Sequence, residues 1–191
     1  PIQLDLSGSV SADSFADLTK IVENNQVPFG DQYTWSSYNP TTRKVIYTQK
    51  ADKLTIMDGS SQIIFTVNAN DQVVGYEQTY AGSVQVLGKE RELITAQKAV
   101  EILYLAGRIS SKAAVQSVKL SYYQSLVLKD FSIYSPAWYI EIRQADGQLI
   151  ARRVDAIHGT VLANETLETT NTQTQRTTTN NTTVTQSVQQ Q

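Results

Sequence analysis

The sequence predicts an α+β protein of two similar halves, each one helix followed by an antiparallel β-sheet of three to four strands. Three observations carry this. An apolar pattern with helical spacing occurs twice, once near the start and once near the middle of the chain. Each is followed by short runs of alternating polarity separated by turn residues. Strand–helix alternation, which a doubly wound α/β fold requires, is absent.

In the first half, Ser11 suits a helix N-cap, and Phe15, Leu18, Ile21 and Val22 recur at helical spacing behind it. The helix ends near Asn24-Asn25, before Pro28. Strands are expected over Arg43 to Gln49, Lys53 to Met57, Gln62 to Val67 and Gln72 to Tyr80. Asp58-Gly59 is expected to close a hairpin between the second and third, because a two-residue turn needs positive φ. In the second half, Thr95 is a fair N-cap, Ala99, Val100, Leu103 and Tyr104 give a helical face, and Gly107 stands where a left-handed C-cap belongs. Four strands are expected after it, over Val115 to Tyr123, Leu126 to Ile133, Pro136 to Ala145 and Gln148 to Ile157. A two-residue turn at Asp146-Gly147 would place Glu141 opposite Arg152 and Tyr139 opposite Val154.

These elements divide the chain into a first lobe (1–90), a second lobe (91–163) and a Thr/Gln-rich tail (164–191). Threonine, glutamine and asparagine supply 21 of the 29 residues from Ala163 to Gln191. Such a segment buries too little apolar surface to offset its conformational entropy and is expected to be disordered. The alternative is β-pairing, since threonine fits a strand.

Composition narrows the function. There is no cysteine, so disulfides, thiol nucleophiles and thiolate zinc sites are excluded. A net charge of −2 argues against a nucleic-acid partner, which needs a basic surface. No run approaches the ~20 apolar residues of a membrane span. The chain starts at Pro1 without a methionine, and is read as a fragment or processed form whose upstream context has been removed. The single histidine, His158, has Asp155 nearby in sequence, but residues three apart on a strand face opposite ways, and no nucleophile elbow accompanies them. Asp13 and Asp17 share a helix face, and Asp52, Asp58, Asp71 and Asp146 sit in turn contexts; no metal or cofactor site is expected. The aromatic residues are mostly tyrosine and tryptophan, which suit half-buried surfaces. Tyr33, Trp35 and Tyr38 cluster in one region, and Tyr76, Gln78 and Tyr80 share one strand face. Sheet packing and partner contact are both open to them.

Four stretches occur in order: Tyr76-Glu77-Gln78-Thr79-Tyr80, the helix opening Ile94-Thr95-Ala96-Gln97-Lys98-Ala99, Pro136-Ala137-Trp138, and Val154-Asp155-Ala156-Ile157-His158-Gly159. Together they resemble the YycI (WalI) family, related to YycH and to PepSY-like domains. The likeness is carried by motifs from about residue 60 to 162, and by element order before that. It implies a non-enzymatic, extracytoplasmic domain of a Gram-positive membrane protein whose N-terminal transmembrane helix lies outside this chain. It further implies action with a YycH-like protein on a WalK-like (YycG) sensor histidine kinase that signals through WalR (YycF) to control cell-wall metabolism. No cofactor is implied. Tyr76, Gln78, Tyr80, Pro136, Trp138 and Asp155 are the motif positions that become candidate interface residues. Homodimer pairing through a sheet edge is open. Two other readings are a ligand-sensing module and a PepSY-like peptidase inhibitor.

Overall fold

A computed structural model describes residues 2–8, 10–163 and 182–187. Its elements are β1 (Ile2–Gln3), α1 (Ala16–Glu23), β2 (Tyr33–Asn39), β3 (Lys44–Ala51), β4 (Leu54–Thr55), β5 (Gln62–Val67), β6 (Gln72–Tyr80), α2 (Ala96–Leu105), β7 (Ala114–Val127), β8 (Ser132–Arg143), β9 (Leu149–Asp155) and β10 (Thr182–Ser187). Each half is therefore a helix followed by antiparallel strands, as the sequence predicts. The chain divides into two compact units, Pro1–Ser83 with Asn180–Gln191, and Val84–Thr179.

In the first unit the strand order is β1-β6-β5-β3-β2, with β10 also pairing β6 and β4 also pairing β3. A 3-10 turn over Ala12–Phe15 leads into α1. Phe15, Leu18 and Val22 pack with Val45, Tyr47, Ile63, Phe65 and Tyr76 to form the core. The helix ends in a left-handed Asn25, with the Gln26 N–H donating to the Ile21 carbonyl at 3.2 Å. Gly30 lies so close to α1 that a Cβ there would sit 2.0 Å from the Val22 carbonyl oxygen.

In the second unit the order is β7-β8-β9. Ala99 and Leu103 of α2 bury against Ile140, Ile142 and Val154. Thr95 caps the helix by accepting from the Lys98 N–H at 3.1 Å. At the other end Gly107 (φ +67°) donates to Tyr104 and the Arg108 N–H donates to Leu103. This is the Schellman arrangement that the glycine implied.

Several expectations are corrected. Asp58-Gly59 does not close a hairpin between the flanking runs. Both β4 and β5 pair with β3, and the tight reversal lies at Asp52-Lys53, where Asp52 is left-handed. Asp58 instead accepts from the Ser60 N–H and hydroxyl in a local bend. The strand expected over Leu126 to Ile133 is not one: β7 runs on past Tyr123 to Val127, the chain reverses at Leu128–Phe131, and β8 starts at Ser132. Pro136 suggests a strand start but lies within β8. Its carbonyl accepts from Ala156 just past the end of the β9 ladder, so its missing N–H falls where no ladder partner is needed. The β8–β9 register is one residue from expectation: Glu141 faces Ala151, Ile140 faces Arg152 and Tyr139 faces Arg153. The loop is three residues long, Ala145 to Gly147, closed by Gln144 and Gln148, with Gly147 left-handed. Glu141 pairs with the Ser117 hydroxyl instead. β2 and β1, which lack clean alternation, escape a sequence reading altogether. Of the segment read as a disordered tail, residues 164–181 and 188–191 lie outside the described residues. Thr182–Ser187 is a strand, antiparallel to β6.

Candidate interaction surface

The motif residues of the first unit sit at the end of β6. Tyr76, Gln78 and Tyr80 share a face, as their spacing requires. Tyr76 is buried against Phe65, ring centroids 5.5 Å apart. Burial raises its hydroxyl pKa, and that hydroxyl has no hydrogen-bond partner. Gln78 is buried, and its Nε2 donates to the Pro28 carbonyl at 2.6 Å. Tyr80 is half-buried, donates to Gln32 Oε1 at 2.9 Å and stacks on Phe29 at 4.4 Å with rings 6° from parallel. Phe29 is half-exposed and left-handed (φ +56°), a conformation that a bulky side chain seldom adopts.

Around these residues runs a buried polar network that sequence reasoning missed. The Tyr33 hydroxyl donates to the Thr79 carbonyl at 2.6 Å. Buried Gln49 accepts from the Ser61 hydroxyl and from the Ala81 N–H, and donates to the Gly82 carbonyl at 2.9 Å. Together they tie the last residues of β6 to β2, β3 and the segment before β5. The partners lie 12 to 46 residues apart in sequence, so no local signal could have paired them.

In the second unit the candidate residues are likewise engaged. The Trp138 indole donates to the Ile94 carbonyl at 2.9 Å, fixing the segment that leads into α2. Asp155, buried at the end of β9, accepts from the N–H groups of Ile157 (2.8 Å) and His158 (2.6 Å) and from the Tyr123 hydroxyl (2.7 Å). The expectation that Asp155 and His158 face apart is corrected. The strand ends at Asp155, the chain turns, and His158 Nδ1 comes within 3.2 Å of the carboxylate. Burial pushes the Asp155 pKa up, but the His158 N–H, the Tyr123 hydroxyl and the Ile157 N–H together outweigh it and hold the carboxyl below its ordinary value. Burial, followed by donation to Asp155 and that residue's charge, raises the Tyr123 hydroxyl to about 12. The carboxylate thus organises a turn, with the exposed imidazole at its rim. Among the described residues no group of three or more His, Asp or Glu is placed to hold a metal.

The sheet face turned away from α2 carries Lys119, Tyr139 and Arg153 in one cross-strand row and Ser117, Glu141 and Ala151 in the next. Tyr139 is raised to about 12 by burial and by Glu141, against the opposing charge of Arg153. At the far end of the β7–β8 ribbon Leu126, Val127, Leu128 and Phe131 are exposed.

Each unit is an antiparallel sheet with a helix packed on it, and its polar interior residues tie strands, turns and helix leads together. The chain belongs to the YycI family: the family model described as YycI protein matches residues 1–157. That span includes the first sixty residues, where the resemblance rested on element order alone. The family is one of membrane-associated regulators of the YycG (WalK) two-component system. No curated protein matches the chain. Among the described residues no helix is long and apolar enough to cross a membrane.

Proposed function

We propose that this chain is a non-enzymatic extracytoplasmic regulatory domain. With a YycH-like partner it binds a WalK-like sensor histidine kinase and biases its signalling state, and so controls cell-wall metabolism. The observation that carries this reading is the family match, which spans Pro1–Ser83 of the first unit and all three strands of the second. A regulator can shift a two-state kinase only through different affinities for the two states, and about 1–3 kcal/mol is enough. A single-pass anchor ahead of Pro1 would hold the domain beside the kinase and raise its effective concentration, so that a weak contact suffices.

The motif positions divide by role in this proposal. Tyr76, Gln78, Pro136, Trp138 and Asp155 shape the domain. Tyr80, stacked under half-exposed Phe29, belongs to the surface a partner touches.

The test is co-purification of the full-length anchored protein from crosslinked native membranes. Recovery of a sensor kinase and a YycH-like protein is expected. A Phe29→Ala variant should lower that recovery about fivefold or more, while Tyr76→Phe leaves it unchanged. Recovery of a peptidase, or of no protein, overturns the reading.

A further inference from the structure

The outer edge of β6 is completed by two short segments from opposite ends of the sequence. Ile2 and Gln3 pair with Val73 and Gln72, and Thr182 to Ser187 pair with Tyr80 back to Gly75. Both run antiparallel to β6 and lie end to end along it. β5 covers the other edge of β6. Over Gly75–Tyr80, therefore, β10 alone among the described elements pairs with the outer edge.

We propose that this edge is an acceptor site for an extended polypeptide strand. β10 is its resident but exchangeable occupant, and an uncharged, β-branched segment of a partner chain takes the same place.

Four observations support this. The accepting stretch, Gly-Tyr-Glu-Gln-Thr-Tyr, lacks the lysine or proline with which natural edge strands refuse a neighbour. The bulge in β6 pairing lies on the β5 side, at Thr66/Val67, and leaves the six-residue β10 register unbroken. The occupant, Thr-Thr-Val-Thr-Gln-Ser, carries no charge and is mostly β-branched, so the fit rests on backbone hydrogen bonds that another sequence of that kind would also make. Finally, β10 belongs to the first unit although the chain ahead of it, from Val84 to Thr179, belongs to the second. It returns through residues 164–181, an 18-residue connection. A segment tethered in the same chain competes at its effective concentration, which a partner held on the same membrane can match.

The inference does not depend on the sensor-kinase reading, because its test uses only this chain and a peptide. The probe is a fluorescein-labelled peptide with the sequence of residues 181–188. It is titrated by anisotropy into the full chain and into a Val184→Pro/Thr185→Pro double variant, which removes ladder donors from both faces of the register. Near-UV circular dichroism checks that the variant keeps its core. The peptide should bind the variant about tenfold or more tightly than the parent chain. Amide exchange at Gly75–Tyr80 should be slow in the parent, at least about tenfold faster in the variant, and slow again once peptide is added. Equal protection of those amides in parent and variant would overturn the proposal. So would a peptide that ignores the variant, or one that binds both chains equally.

Discussion

Tyr33 and Tyr76 are both buried tyrosines of one core, yet their hydroxyls stand in opposite situations. Tyr33 donates to a backbone carbonyl, whereas the Tyr76 hydroxyl has no partner. Removing an unpaired buried hydroxyl relieves a desolvation penalty, and removing a paired one orphans its acceptor. Tyr76→Phe should therefore leave stability unchanged or raise it by up to about 1 kcal/mol, while Tyr33→Phe lowers it by roughly 1 kcal/mol. Urea titration of the two variants distinguishes them. Gly30→Ala is expected to be worse than either, because its methyl group would collide with the backbone of α1 rather than with a movable side chain. A loss of about 3 kcal/mol is the expected scale of such overpacking. At this scale the sequence was partly legible. The period of two placed Tyr76, Gln78 and Tyr80 on one face, but hydrogen bonds to Thr79, Pro28 or Ile94 depend on residues far away along the chain.

Among the elements, α2 was read well because its signals are local. Thr95 and Gly107 do at the two ends what their side chains, or lack of one, allow. Gly107 has open space where a Cβ would go, so Gly107→Ala tests the left-handed backbone alone. It should lower the melting free energy by about 1 kcal/mol, measured by thermal denaturation followed in the far ultraviolet. The hairpins were read less well, for one shared reason. Asp58-Gly59 and Asp146-Gly147 are the same dipeptide, but one sits in an Asp-Ser bend and the other closes a three-residue loop. The dipeptide marks a reversal without stating how many residues the loop holds, and a loop longer by one residue moves every cross-strand partner. That is why Glu141 faces Ala151 rather than Arg152. Asn68 to Gln72 forms the same kind of three-residue loop in the first unit, with left-handed Asp71 in the place of Gly147 and bridged to Arg43.

For the molecule as a whole, the fold class was legible because a helix followed by alternating strands occurs twice, and each repeat buries its own core. Function was legible only through an ordered set of motifs, none of which marks chemistry by itself. The titration behaviour of the chain follows from both units together. Tyr47, Tyr123 and Tyr139 are each raised from 10.0 to about 12, chiefly by burial. Below pH 10 both folded and unfolded chains keep these protons. Between about 10 and 12 the unfolded chain has released protons that the folded chain retains, so stability falls as the pH rises through that window. Asp155 acts at the other extreme. Its carboxyl is held below the ordinary value, so its contribution is present above the usual aspartate range and is lost as the pH falls through the depressed one. Chemical denaturation at a series of pH values should show a plateau through neutrality and a decline at each end. A plateau extending unchanged past pH 12 would contradict the burial of these phenols.

The chain has two tryptophans, Trp35 in the first unit and Trp138 in the second. Trp35 stacks near Phe15 and its indole nitrogen is unpaired, while Trp138 is anchored to a carbonyl. The two indoles thus give the protein one native fluorophore per unit. Replacing either with phenylalanine leaves a single indole which, excited beyond the tyrosine absorption, reports on one unit alone. A binding event could then be assigned to a unit by its colour change, without attaching a foreign dye.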